Sequence, residues 1–201
     1  MNDDDTFRTV LLVGMIVFMP IAIYRRLRSQ ASGEKLDRRQ EGLFVLLTLR
    51  PLGLVTMAAI IAFLINPSWM AWSSVPLPVS LRWAGAVIGA TAGVLLTWTL
   101  SHLRENLTDT VVTRQRHSLI TSGPYALVRH PFYASSALAI VANALVTANW
   151  FIFITGCLVF ALLVVRCRKE EENLIARFGE EYRAYARRTG RFLPRPGARP
   201  Y

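Results

Sequence analysis

Acidic side chains are scarce in this 201-residue chain: 13 Asp and Glu stand against 23 Lys and Arg, for a formal net charge of +10. None of the acids lies inside an apolar run. Charged residues of both signs reach only 18%, while 53% of the chain is hydrophobic. That balance is too apolar for an ordinary soluble domain, so the basic excess is read as marking one face of a membrane and no nucleic-acid partner is expected. Only two cysteines occur, Cys157 inside an apolar run and Cys167 just past its end, with no CxxC pair and no Cys/His cluster at metal-ligand spacing. This argues against a disulfide framework and gives no support to a zinc site; both are read as packing residues, and no metal is expected. The opening Met-Asn-Asp-Asp-Asp lacks the basic n-region of a signal peptide, so the first apolar run is expected as a retained span.

What is abundant is apolar sequence, in five segments: Phe7 to Tyr24, Leu43 to Ile65, Leu81 to Leu103, Phe132 to Ala148 and Phe151 to Val165. A helix needs about 20 residues to cross a hydrocarbon core of roughly 30 Å, so the first three are adequate and the last two are short. Joined as one helix, Phe132 to Val165 would run about 50 Å, too long for a bilayer, so a tight reversal near Asn149 and Trp150 is expected. The fold class is therefore an all-α integral membrane protein of about five transmembrane helices. The last two form a helical hairpin, followed by an amphipathic C-terminal helix on which Leu174, Phe178, Tyr182 and Tyr185 recur at helical spacing. One membrane domain over 1–201 is expected, with three helices in 1–103 and a catalytic region in 104–201 made of the hairpin 132–165 and the tail 166–201.

Basic residues set the orientation. The connections 25–41 and 104–131 and the tail from Arg166 hold twenty of the 23 Lys and Arg, all on one side if five segments span. The positive-inside rule then puts the C-terminus in the cytoplasm and the N-terminus outside, as in a bacterial inner membrane. Trp69, Trp72, Trp83 and Trp150 fall together at the opposite interface, as an aromatic belt. Gly85, Gly89 and Gly93 share one face of the third segment and let a neighbouring helix approach, within one chain or between two, so the oligomeric state stays open. Arg50, followed by Pro51, lies about 10 Å inside the second segment and must snorkel or face a polar cavity. It is carried forward as a candidate substrate contact.

With no acid in any apolar run and His102, His117 and His130 at or beyond the ends of runs, a polar site belongs at the cytoplasmic surface. The stretch Gly123 to Tyr133, GPYALVRHPFY, stands at the entrance to the hairpin. Residues 104–120 read as a polar loop over the membrane. Arg166 and Glu170 share a helix face where the hairpin leaves the membrane, and Glu171, Glu172, Glu180 and Glu181 read as solvated charges, with Glu171 in reserve for Glu170. Each residue also has a plain structural reading: Arg129 anchoring to phosphates, Pro131 starting a helix, Tyr125 and Tyr133 as interfacial aromatics.

The run HSLITSGPYALVRHPFY (His117 to Tyr133), followed after the hairpin by RCRKEEENLIARFGEEYRAY (Arg166 to Tyr185), resembles the signature of the isoprenylcysteine carboxyl methyltransferase family, whose wider superfamily includes phospholipid N-methyltransferases. The likeness covers roughly Leu103 to Pro194 and points to a short, prokaryotic-type member; before Leu103 the chain shares only hydrophobic helices with the family. The resemblance implies S-adenosylmethionine as methyl donor. By position it implies donor contacts at His117, Ser118, Leu119, Ile120, Tyr125, His130, Pro131, Phe132, Tyr133 and Glu170. Arg166 takes the place of the arginine associated with the substrate carboxylate and is the candidate catalytic residue. No strand followed by a Gly-rich turn, the donor site of soluble methyltransferases, occurs in the chain.

A carboxylate acceptor is ionised at neutral pH and needs alignment and dehydration rather than a base. The expected partners are a lipophilic substrate taken from the membrane and the membrane lipids themselves. The expected reaction is carboxyl O-methylation of an isoprenylcysteine-like acceptor. Methylation of a phospholipid amine, which requires a base such as His117 or a glutamate, is the alternative enzyme, and a scaffold whose basic tail binds anionic lipid is the alternative without catalysis.

Overall fold

The computed structural model describes residues 3–30, 45–103 and 119–195. Helix α1 (Asp3–Gln30) opens on three acids that complement the positive end of its dipole. A π-helical stretch (Val45–Leu49) runs without a break in helical backbone into α2 (Arg50–Ile65), where Pro51 has no N–H to donate back into the preceding turn. A 3-10 helix (Pro67–Ser73), capped by the Asn66 side chain, connects to α3 (Val79–Leu103). After one turn of helix, α4 (Pro124–Leu127), come α5 (Pro131–Thr147), α6 (Trp150–Phe178) and α7 (Glu180–Arg188). Among the described residues the only β pairing is two isolated bridges.

Four helices are long and apolar enough to cross a membrane: Asp3–Tyr24, Leu47–Ile65, Val79–His102 and Trp150–Phe178. The apolar helix Pro131–Thr147 is shorter, 17 residues or about 25 Å. The second arm of the hairpin is not short, as its apolar run suggested. Nothing after Val165 breaks a helix, and α6 runs 29 residues, about 43 Å, until Gly179 takes a positive φ of 54°. Leu174 and Phe178 consequently belong to α6, while Tyr182 and Tyr185 sit on α7. Both tyrosines are buried against the protein, so the single surface helix read from their spacing is in fact two elements.

The reversal falls at Ala148 and Asn149. Ala148 adopts the left-handed conformation, its N–H and that of Asn149 close on the end of α5, and Asn149 Oδ1 accepts from Ile152 N at 3.0 Å to cap α6. Asn149 Nδ2 also donates to Ser73 Oγ at 2.8 Å, tying the hairpin to the 3-10 helix. Here Trp72 meets Trp150 edge-on, and Trp69 and Trp83 are exposed nearby in sequence, so the aromatic belt gathers at the hairpin tip. Arg82 is buried at the same end, where it donates from Nε and Nη2 to Val146 O, pairs with Asp4 at 2.8 Å and lies over the Phe7 ring.

Helix α3 packs most extensively on α5, through the expected glycine face. A methyl at Gly85 would stand 2.6 Å from Leu145 Cβ, and one at Gly93 equally close to the Phe18 ring of α1. Helices α2 and α6 run antiparallel around a core of Ala59, Ile60, Phe63, Met70 and Ile152. Counting about 22 Å back along α2 from Ile65 and forward along α6 from Trp150 brings Arg50 to the level of Arg166.

Candidate functional site

At the end of the bundle opposite Trp72 and Trp150, the chain turns into α5. Gly123 makes the turn with φ 62° and ψ −131°, a conformation essentially reserved for glycine, and a Cβ there would lie 2.3 Å from the His102 ring. Pro124 then starts the single turn of α4, which carries Tyr125. Val128 is extended and bridges in parallel to Gly190. His130 precedes α5, and Pro131, buried, occupies its first position.

The hairpin returns α6 to this end, and two adjacent glutamates receive the motif. Tyr133, buried on α5, donates its hydroxyl to Glu170 Oε2 at 2.7 Å. Glu171 is buried rather than solvated: Oε1 accepts from Arg129 Nε at 3.1 Å and lies 3.2 Å from His130 Nε2, while Oε2 pairs with Arg191. Arg129 further donates from Nη1 to Ala186 O at 2.9 Å and to Thr189 O, so it is tied into the protein and not aimed at lipid phosphates. Consecutive helix residues point about 100° apart, which is how Glu170 can take Tyr133 while Glu171 takes the Arg-His pair.

Of the other residues singled out above, Tyr125 is half-buried, and its carbonyl accepts from the Tyr185 hydroxyl at 2.7 Å. Burial pushes the phenols of Tyr125, Tyr182 and Tyr185 above their ordinary range, so all three stay neutral donors. Leu119 and Ile120 are half-buried ahead of the turn, and Phe132 is exposed. Arg166 precedes Glu170, the acceptor of the Tyr133 hydroxyl, by one turn of α6. Arg50 is exposed at the start of α2. His117 and Ser118, with most of the loop 104–120, lie outside the described residues. Glutamates 172, 180 and 181 are exposed, and the first two pair with Lys169 and Arg183.

The fold brings together what the spacing of cysteine and histidine could not suggest. Ligand atoms of His130, Cys167 and Glu171, all buried, lie within 4.8 Å of one another. Both oxygens of that carboxylate are already engaged by guanidinium groups, so a cation entering the trio competes with two fixed positive charges. Cys157, in contrast, is exposed on the outside of α6 rather than packed.

The sequence held Glu171 only in reserve, as a solvated charge, and pointed to neither Arg191 nor Phe192. The Phe192 ring lies 6.1 Å, centroid to centroid, from each of His130, Tyr133 and Phe160. The triple glutamate gave only a register ambiguity as a signal, and the tail gave none.

The isoprenylcysteine carboxyl methyltransferase family profile matches residues 85–176, beginning well inside α3 and stopping before α7. The likeness thus reaches further toward the N-terminus than the two motifs do. Among curated proteins, the cobalt-zinc-cadmium resistance protein CzcN of Cupriavidus metallidurans is 37% identical over 82 residues, 41% of this chain and 38% of that protein. The protein-S-isoprenylcysteine O-methyltransferase of Dictyostelium discoideum is 27% identical over 69% of this chain and 60% of its own length. A methanethiol S-methyltransferase of Mycobacterium tuberculosis is 33% identical over 36% of this chain and 29% of its own length. The chain therefore spans less than two thirds of each of these relatives, from 29% to 60% of their length. In fold it is similar to the eukaryotic intramembrane Ras methyltransferase ICMT, with a TM-score of 0.57 at 19% identity over 93% of this chain and 63% of that one. One profile covers the first motif and the start of the second, on either side of the hairpin that joins them, and one fold likeness extends over nearly the whole chain: over residues 85–176 the protein is similar to the isoprenylcysteine carboxyl methyltransferase family.

Proposed function

We propose that the protein is a membrane methyltransferase that uses S-adenosylmethionine to methylate a lipophilic acceptor at the polar end of its helix bundle. The observation that carries this is the 2.7 Å hydrogen bond from Tyr133 to Glu170, which joins the two motif segments across the hairpin. The residues gathered there suit the donor's chemistry. Glu170 is an acceptor for ribose hydroxyls or the ammonium, Arg166 is a guanidinium for a carboxylate, and the rings of Tyr125 and Tyr133 are aromatic faces that favour a sulfonium. The donor, when bound, supplies an electrophilic methyl group. The protein's share is to hold the acceptor in line with that methyl and to keep water out.

Donor contacts are assigned to Leu119, Ile120, Tyr125, Pro131, Phe132, Tyr133 and Glu170, with His117 and Ser118 from the preceding loop. His130 contributes through Glu171 and by standing edge-on to Tyr133, at 5.4 Å between centroids. Arg166 holds the acceptor carboxylate by paired hydrogen bonds, and Arg50, at about the same level on α2, faces the same acceptor. In this reading α5 completes a set of five spans, α7 lies at the cytoplasmic surface, and the N-terminus is outside a bacterial inner membrane. The acceptor class follows the protein-S-isoprenylcysteine O-methyltransferase name carried by a relative. A second reading, methylation of a small thiol, follows the methanethiol S-methyltransferase name carried by others.

Purified protein is incubated with methyl-labelled donor and, separately, a farnesylcysteine derivative, methanethiol or total lipid extract. Base-labile label on farnesylcysteine is the expected product. Label on the thiol alone shifts the assignment to S-methylation, base-stable label on lipid shifts it to amine methylation, and no transfer to any acceptor overturns the proposal.

A further inference from the structure

We propose that Arg191 and Phe192, on the tail after α7, are positioning residues of this site: the Arg191–Glu171 ion pair docks the tail, and the docked tail holds Phe192 as a wall against Tyr133. The inference rests on the methyltransferase reading for its consequence but not for its geometry. Both residues lie beyond the segment 85–176 over which the family profile matches.

The tail is tied down by more than one contact. Arg129 N donates to Gly190 O at 2.8 Å and His130 N to Arg191 O at 3.0 Å, so tail carbonyls satisfy the two backbone donors of the Arg-His pair. Gly190 has no room for a side chain, since a Cβ there would meet Leu193 O at 1.8 Å; the tail folds back on itself at this point. That fold carries Phe192 onto His130, Tyr133 and Phe160. Phe160 is six residues before Arg166 on α6, about 9 Å toward the apolar part of the helix. Phe192 thus stands where the polar pair Tyr133–Glu170 gives way to apolar surface, the seam at which a methyl donor from water and an acceptor from lipid have to meet.

Charge explains why Arg191 holds the tail. Glu171 is buried with Arg129 and His130 already on Oε1, and Arg191 takes the remaining oxygen. The Arg191 side chain is 39% exposed, so it is the one partner of Glu171 that can leave for solvent without stranding a buried charge. Removing it loosens the tail, which then hangs on its backbone bonds to Arg129 and His130, and leaves the Arg129–His130–Glu171 trio in place. Helix α7 remains independently anchored through Tyr185 to Tyr125 O.

The test compares Arg191→Ala, Arg191→Lys and Phe192→Ala in otherwise intact protein, with two readouts. The first needs no donor: hydrogen exchange at the Arg129 and His130 amides, expected to quicken at least tenfold in Arg191→Ala and to return toward wild type in Arg191→Lys. Unchanged exchange in Arg191→Ala overturns the docking role whatever the protein binds. The second is titration with S-adenosylmethionine and steady-state methyl transfer. Arg191→Ala and Phe192→Ala are expected to raise the donor's Kd and KM about tenfold, a free-energy change of roughly 1.4 kcal/mol, with kcat changed less than threefold. A loss in kcat at unchanged KM, or wild-type donor affinity in both variants, overturns the positioning role while leaving the methyltransferase reading intact. Failure of the wild type to bind donor removes the methyltransferase reading instead, and the exchange data then decide the docking claim by themselves.

Discussion

Replacing Gly123 by Ala should disable the site while sparing the helices, and two separable effects set its size. With φ at 62° and ψ at −131°, Gly123 sits where a side-chain-bearing residue is strained by about 1–3 kcal/mol. The added methyl would also lie 2.3 Å from the imidazole of His102, which is held by a 3.0 Å contact between its Nδ1 and Trp98 O. Moving that ring sacrifices about 1 kcal/mol of hydrogen bonding. Together the two effects come to about 3 kcal/mol, a shift of roughly 150-fold in the equilibrium between the formed and open turn. Apart from the His102 ring at the end of α3, none of this touches the packing of α2, α3 and α6, so the protein should still purify as a helical membrane protein. Hydrogen exchange is the assay: the amides of Ala126 and Val128, which close the single turn of α4 by bonding to Gly123 O and Pro124 O, should lose protection by about that factor. The double variant Gly123→Ala/His102→Ala separates the contributions, because it relieves the contact with the ring and leaves the backbone strain. Wild-type exchange in Gly123→Ala refutes the reasoning, and full restoration in the double variant refutes its backbone half.

The far end of the bundle supplies a control on stability. Arg82→Ala should lower stability in detergent by about 3 kcal/mol, because it strips two hydrogen bonds and a cation–π contact from a buried site. Asp4→Asn should stay within about 1 kcal/mol, since Asp4 is largely exposed; equal losses in thermal unfolding would contradict this. On the glycine face, Gly85→Ala should destabilise by about 1–3 kcal/mol through overpacking against Leu145. Gly89→Ala, whose methyl would rest 3.4 Å from Ala142 Cβ, should be neutral or stabilise by up to about 1 kcal/mol from helix propensity. Thermal melts of the pair check the ranking.

The hairpin and its reversal at Asn149 were legible because apolar runs report membrane thickness directly, and the glycine face because spacing of four defines a helix stripe. Helix α6 was harder to read. Its apolar run stops at Val165, but the charged residues that follow are good helix formers, so hydropathy marks the membrane boundary and not the end of the helix. The same difficulty split the glutamates wrongly. A run of three acids at a helix exit looks solvated, and only the approach of Arg129, His130 and Arg191 from elsewhere in the chain makes Glu171 a buried ion. Tyr133 and Glu170 were both identified from the motifs, yet their direct bond depends on the helical rotation between α5 and α6. Arg191 and Phe192 carry no local signal at all; their importance comes from where Gly190 turns the chain.

The most direct measurement is equilibrium binding of labelled S-adenosylmethionine to purified protein, comparing wild type with Tyr133→Phe and Glu170→Ala. Tyr133→Phe removes one hydrogen bond to a charged group, worth about 1.5–3 kcal/mol, and keeps the buried ring. Saturable binding by the wild type, a Kd raised at least tenfold in Tyr133→Phe and no measurable binding in Glu170→Ala are the results expected. The absence of saturable binding to the wild type, or affinities indifferent to both substitutions, would contradict a donor site built where the hairpin joins Tyr133 to Glu170.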